Sequence, residues 1–548
     1  MDNIKVVHKD QEFFVARGTK LQNIAVEFQK DYKHPILISK VNNTLKELDY
    51  EITKSKNIEF LDLTDRVGNK IHVNGLLFIL VVAIKELYGT KYDLKVLHSI
   101  DKGLYIETNF ELTEKRMTDI KSKMNTIISE KRPIHRVNVD RLEAMDYFSK
   151  IGDKAKVNIL KYTTNTYITL YKLGDYYDYF YTKMPINTSL VREFDLTYLS
   201  QNGFVLRFPT VYLPDQIKPY ENHPNMFKAF NECHDWGELM KVENAAELNS
   251  LVSKGKIEEL IRISETKQNS ELLQLAQKIN NNKDIKIVLL AGPSSSGKTT
   301  TSKKLRMFLH SFGVNPETLS MDDYFVERDK TPLDEFGKPD YECLEAVDLD
   351  LFNNQIESIL KGEDVTIPTY NFLTGNKEYK TKMKLGSKDI LIIEGIHALD
   401  NKVLTNIKKE NIFRIYISAL TELNIDNHNY ISTTDNRLLR RIVRDNKTRG
   451  NSVQKTIENW PAVRLGEEKY IFPFQDNADY VFNSALIYEI GVLKTYVEPL
   501  LFAVDPKDRC YEDAKRLINF LGFFLPIPAD AIPKDSLLRE FIGGSFFS

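Results

Sequence analysis

Ile285-Lys-Ile-Val-Leu-Leu-Ala291, followed at once by Gly292-Pro293-Ser294-Ser295-Ser296-Gly297-Lys298-Thr299, decides how the C-terminal half of this 548-residue chain is read. The first seven residues form a short apolar run of the kind that fills a strand buried on both faces. The next eight fit GxxxxGK[ST], and Thr300-Thr-Ser-Lys-Lys-Leu-Arg-Met-Phe-Leu309 after them is helical in character. Strand, glycine-rich turn and helix start, in that order, build an anion cradle. Gly292 and Gly297 let the backbone wrap with its N–H groups turned inward, and the helix adds the positive end of its dipole. The expected phosphate-binding residues are therefore Gly292, Pro293, Ser294, Ser295, Ser296, Gly297, Lys298, Thr299 and Thr300. Lys298 is expected to neutralise the β- and γ-phosphates of ATP, and the Thr299 hydroxyl to ligate Mg²⁺.

Beyond the loop the pattern alternates: helix Thr299–Phe312, strand Glu317–Ser320, helix Leu349–Leu360, strand Ile390–Glu394, strand Ile412–Ala419. Apolar strands alternating with helices predict a parallel sheet covered on both faces, with ligands at the carboxyl ends of its strands. Asp322, just after the second strand, is placed to accept a proton from an acceptor hydroxyl or to hold Mg²⁺, and a helix-capping role is equally open. Glu394 ends the apolar run Leu391-Ile-Ile and has the place of a Walker B carboxylate, sharing the metal with Thr299. Arg437, Arg440, Arg441 and Arg444 share one helix face. Such a stripe ordinarily faces solvent, but here it leads to Arg449-Gly450, and an arginine lid over transferring phosphate is the other reading.

The rest of the chain sets bounds. A length of 548 residues exceeds one hydrophobic core and predicts three or four domains. The formal net charge of -2 provides no overall field toward nucleic acid or an anionic membrane. Cys233, Cys343 and Cys510 form no CxxC pair and read as reduced thiols. The first residues lack the apolar core of a secretory signal, and the longest apolar run, Gly75–Ile84, is short for a membrane span, so a cytoplasmic protein is expected. Residues 1–63 alternate short β runs with one helical stretch, Leu21–Asp31, which predicts a β-grasp or ferredoxin-like module. Residues 64–215 mix helices, Leu76–Leu87 and Thr113–Lys131 among them, with aromatic-rich strands, and 216–284 read as a helical connector. Trp460-Pro461 reads as a helix boundary, and His397 as a packed residue.

Six stretches in sequence carry a family resemblance: GPSSSGKT at 292–299, SMDDYF at 320–325, PDYECLEAVD at 339–348, IPTYNF at 367–372, LIIEGIHAL at 391–399 and RLLRRIVRDNKTRG at 437–450. Together they resemble the uridine/cytidine kinase branch of the phosphoribulokinase-like P-loop kinases, over about 285–490. The resemblance implies an α/β P-loop kinase with a parallel sheet and a helical tail over 285–548, using ATP and Mg²⁺ in pyrimidine salvage. It implies Asp322 as general base, Glu342 as the acid on the ribose hydroxyls, Tyr370 as the aromatic residue near the base, and Arg441, Arg444 and Arg449 as lid arginines. Three positions depart from the family pattern: Gly375 stands where a base-reading His is usual, Asn451 where a second Arg is, and Asn459 where a Gln is. A missing donor at a base edge can cost orders of magnitude in discrimination, so the acceptor stays open between uridine or cytidine, a purine nucleoside and a sugar phosphate.

Residues 1–63, then Val82-Ala-Ile-Lys-Glu-Leu87 and Asp175-Tyr-Tyr-Asp178, carry a second resemblance: the N-terminal half is similar to the TGS module and second additional domain of threonyl-tRNA synthetases. The likeness implies a β-grasp module followed by an α+β editing-like domain. At the editing domain's metal positions this chain has Asn74, Phe78, Phe180 and Met184, which make no zinc site. Degenerate editing leaves scaffold, regulation or RNA contact as the roles of that half. An ATP-driven RNA-binding regulator is the alternative from a different class, and homo-oligomerisation is left open.

Overall fold

The computed structural model describes residues 3–334, 337, 339–371, 374–386 and 388–547; Phe372 of the IPTYNF stretch lies outside them. The chain begins with a five-stranded sheet in the order Gln11–Ala16, Asn3–His8, Lys56–Leu61, Ile38–Val41, Thr44–Lys46, in which only the pairing of Asn3–His8 with Lys56–Leu61 is parallel. Helix Leu21–Phe28 turns Leu21, Ile24 and Ala25 into the core that this sheet covers.

Next comes the long helix α1 (Arg66–Tyr88), which packs with a four-stranded and a three-stranded antiparallel sheet. α1 starts ten residues before the helix expected at Leu76, because Asp65 caps it by accepting from the N–H groups of Val67 and Gly68. Its first turns are polar on one side, which hid them from an apolar pattern. At 23 residues α1 has the length and composition to cross a membrane, but the apolar run Gly75–Ile84 within it is shorter and 78% of the helix's apolar window is buried inside the fold. Helices Pro224–Met240, Ala245–Ser253 and α2 (Ile257–Asn281) lead into the C-terminal half.

That half is built on five parallel strands, β1 (Ile287–Ala291), β2 (Glu317–Ser320), β3 (Leu391–Glu394), β4 (Ile412–Ser418) and β5 (Tyr480–Asn483), in the order β2-β3-β1-β4-β5. All of β1 is buried, with Ile287, Leu289 and Ala291 joining one core cluster and Val288 and Leu290 another. This two-sided burial is why the run is continuously apolar. The chain leaves β1 toward β2 on one side and, after β3, crosses to β4 on the other. Strand order therefore reverses at β1, which puts the crevice at the end of the strand that feeds the phosphate loop. Helix α3 (Lys298–Ser311) follows the loop, and α4 (Thr433–Thr448) and α5 (Val453–Tyr470) lie beyond β4. Pro461 sits inside α5 rather than at its boundary. The buried side chains of Ile457, Trp460 and Val463 hold the helix together where the proline removes one backbone hydrogen bond.

A buried knot of charge joins the two halves. Lys156 donates to Asp153 at 3.0 Å, lies 3.0 Å from Asp178 and 2.9 Å from His428 Nδ1. His428 also reaches Asp178 at 2.7 Å and Asp93 at 3.1 Å, and Asp426 lies 3.5 Å from Lys156. Lys156, Asp153, Asp178 and Asp93 come from the N-terminal half, whereas Asp426 and His428 sit in the segment between β4 and α4.

Candidate active site

The carboxyl ends of β1, β2 and β3 converge because the strands pair in register. Glu394 lies opposite Leu290 of β1 and Ser320 of β2. Glu394 Oε1 accepts from Thr299 Oγ1 at 3.3 Å and from Ser320 Oγ at 3.4 Å. Gly292 tolerates no side chain, since a Cβ there would meet the carbonyl of Ile417 at 2.1 Å. Gly297 takes φ +87° at the start of α3, a left-handed conformation open to glycine at no steric cost. Lys298 folds its ammonium back over the loop, donating to the carbonyls of Gly292 at 2.8 Å and Pro293 at 3.4 Å.

Lys298, Glu394, Asp322 and Glu342 are each held away from their charged forms. Burial lowers Lys298, while the carboxylates of Glu394, Asp322 and Glu540 pull it back up. Burial lifts Glu394 to about 7 against the pull of Lys298. Asp322 shows surface at the mouth of the cleft yet is ringed by protein, and that enclosure raises its carboxyl against Lys298 and Arg449. Glu342 is lifted to about 7 by burial and by the Glu467 carboxylate, with Arg441 pulling the other way. Lys298, Glu394, Asp322 and Glu342 therefore form one electrostatic group at the loop. Tyr370 is buried, its ring edge-on to Phe325 at 5.6 Å, and its N–H donates to Asp323 Oδ1 at 3.2 Å.

The arginine stripe splits in two. Arg437 and Arg440 are 1% and 0% exposed, so neither the solvated-face reading nor the lid reading holds for them. Arg437 Nε donates to the Ser294 carbonyl at 2.9 Å, and its guanidinium pairs with Glu467, which also accepts from the Ser294 N–H at 3.1 Å. Arg440 donates to the Ser484 carbonyl at 2.9 Å, to Glu489 at 2.5 Å and to the Ser295 carbonyl at 3.4 Å. Both are struts that hold the phosphate loop from α4. Arg441 Nη1 donates to Ser294 Oγ at 2.6 Å, Arg444 Nη2 to Asp445 at 2.8 Å, and the more exposed Arg449 lies 3.7 Å from Asp445. Glu467 and Glu540 belong to the site and were not singled out in the sequence. Arg464, three residues before Glu467 and bonded to it at 2.6 Å, was the only local sign of Glu467.

Residues 287–490 match the phosphoribulokinase/uridine kinase family. Uridine kinases of Staphylococcus aureus, strains JH9 and Newman, are 30% identical over 196 residues, covering 36% of this chain and 86% of theirs. The chain belongs to the phosphoribulokinase/uridine kinase family. Among solved structures, a possible uridine kinase from Bacillus stearothermophilus matches at 22% identity and TM-score 0.24, covering 36% of this chain and 89% of that one. D-glycerate 3-kinase from Cryptococcus neoformans matches at 16% identity and TM-score 0.26, covering 39% and 89%. The C-terminal half has the P-loop kinase fold of this family, and the protein is an ATP-dependent phosphotransferase. The donor set fits Mg·ATP: the amides at the start of α3, one lysine, a threonine hydroxyl and a carboxylate 3.3 Å from that hydroxyl.

Proposed function

We propose that this chain transfers a phosphoryl group from ATP to the 5′-hydroxyl of a nucleoside, with uridine and cytidine as the first acceptors. The observation that carries the reading is Asp322, held at the end of β2 beside Lys298 with its carboxyl raised toward the proton-accepting range. Asp322 takes the hydroxyl proton as the oxygen attacks. Lys298 and the amides from Gly297 to Thr300 hold the phosphate oxygens, and Arg441, Arg444 and Arg449 close over the transferring group and exclude water. Thr299 and Glu394 would hold Mg²⁺, which when bound offsets the phosphate charge. Glu342 is the acid for the ribose hydroxyls, and Tyr370 acts through Phe325 and Asp323 as part of the acceptor wall rather than as an exposed stacking face.

A second reading, another small alcohol as acceptor, is favoured by Gly375. Its φ is +77°, and a Cβ there would meet the Arg328 side chain at 2.7 Å. Arg328 also donates its N–H to the Gly375 carbonyl at 3.0 Å, which closes the turn where a base-reading side chain would stand. For the N-terminal half we infer a TGS-like β-grasp module and an editing-like domain without hydrolytic metal chemistry. Phe78 and Phe180 pack ring to ring at 5.6 Å and Met184 is buried, so three of the four metal positions have become core, while half-buried Asn74 donates to the Thr182 hydroxyl. ADP release with Mg·ATP against nucleosides, sugar phosphates and tRNA tests the assignment. Stimulation by uridine or cytidine supports it, a response to another alcohol favours the second reading, and a response to tRNA alone overturns both.

A further inference from the structure

Thr300 supplies the third amide of α3, one of the N–H groups at a helix start that have no partner within the helix. The same amide belongs to the cradle assigned above to phosphate. Glu540 Oε2 accepts its hydrogen at 3.2 Å, from a residue 240 positions away. The carboxylate is also within electrostatic reach of Lys298, Glu394 and Arg449.

Glu540 is held there by a well-anchored tail. It lies on the short helix α6 (Arg539–Ile542), where Phe541 and Ile542 are buried. The Arg440 guanidinium stacks on the Phe541 ring at 4.9 Å, and Lys447 donates to the Ile542 carbonyl at 2.7 Å. Lys304 of α3 pairs with Asp535 at 3.5 Å, and Lys303 donates to the Phe547 carbonyl at 2.6 Å. The tail thus bridges the arginine helix and the loop helix, and its one acidic side chain aimed at the cradle ends on a phosphate-binding amide.

We propose that Glu540 sets nucleotide affinity: its carboxylate stands where a phosphate oxygen of the donor binds the Thr300 amide, and Mg·ATP enters only as that side chain swings away. The proposal rests on the nucleotide-site reading above. A carboxylate and a phosphate cannot share one amide, and two anions beside one lysine repel each other, so the backbone of the tail can stay in place while the Glu540 side chain yields. The anchoring through Lys447 and Arg440 ties the position of that side chain to α4, the helix that also braces the loop.

The test is calorimetric binding of Mg·ATP to the full chain, comparing wild type, Glu540→Gln and Glu540→Ala, each with and without Lys298→Ala. Glu540→Gln keeps the size of the side chain and guards against a tail that fails to pack. Both substitutions should tighten binding about fivefold, the worth of one charge at a helix N-terminus, with a larger gain at low salt. Equal or weaker binding by both variants, with Lys298→Ala still abolishing it, would overturn the role of Glu540 and leave the nucleotide site standing. No Mg·ATP binding by wild type or by either variant would overturn the site reading and the proposal together.

Discussion

The phosphate-loop site and the knot between the two halves are both buried clusters of carboxylates and cations, yet burial acts on them in opposite directions. At the site burial wins: Glu394 and Glu342 sit at about 7, Asp322 is raised and Lys298 is lowered. In the knot the partners win: Lys156 is raised, His428 is raised to about 9, Asp93 is lowered to about 2 and Asp178 is lowered further. Among the carboxylates of the knot Asp426 goes the other way, raised by its own burial. Geometry accounts for the contrast. In the knot two cations stand 2.7 to 3.5 Å from four carboxylates. At the site four carboxylates, Glu394, Asp322, Glu342 and Glu540, share one lysine, which spends its hydrogen bonds on its own loop. A cluster whose charges are left uncompensated is ready for the charges of a ligand, whereas a compensated one serves as a joint.

The largest test of that contrast is to remove charge from the site. Lys298→Ala or Asp322→Asn should lower kcat/KM at least about a thousandfold, measured as ADP release, while the thermal midpoint stays within a few degrees of wild type. A collapse of stability would make these residues part of a joint and break the comparison. Removing the central cation of the knot should do the reverse. Lys156→Met leaves Asp153, Asp178 and Asp426 facing one another and should cost about 3–5 kcal/mol in denaturant unfolding, with little change in the activity of the molecules that remain folded.

The knot also predicts a pH dependence. The ordinary imidazole value is 6.5, and the folded value is about 9, so protonated His428 contributes its full stabilisation below pH 6.5. That contribution declines as pH rises from 6.5 and is gone above about 9, a loss on the order of 3 kcal/mol. Unfolding midpoints measured from pH 6 to 9.5 should show the decline in wild type and a flatter profile in His428→Gln. The smallest effect concerns the struts. Arg437→Lys cannot keep both the Ser294 carbonyl and Glu467, and should raise KM for Mg·ATP about tenfold with kcat less affected.

Much of the C-terminal half was legible in advance, and for a local reason. Buried parallel strands are apolar throughout, the loop needs glycine at two places, and Glu394 and Asp322 follow their strands by zero and two residues, so each signal sits within a few positions of its neighbour. Elsewhere the pattern misled. The polar first turns of α1 shortened the expected helix, Pro461 suggested a boundary that the packing of Trp460 overrides, and a stripe of arginines looked solvated or mobile although half of it is buried.

Patterns local to the chain were enough to read the parallel α/β half and to place the glycine-rich loop, Asp322 and Glu394 at the ends of its strands. Packing between distant segments settled which arginines brace the loop, that Glu540 reaches the Thr300 amide across 240 residues, and that Lys156 and His428 pin the halves together. The physical reason is that strand and loop propensities act between neighbours in the chain. The state of a buried charge instead depends on which partners, however distant in sequence, replace its lost water.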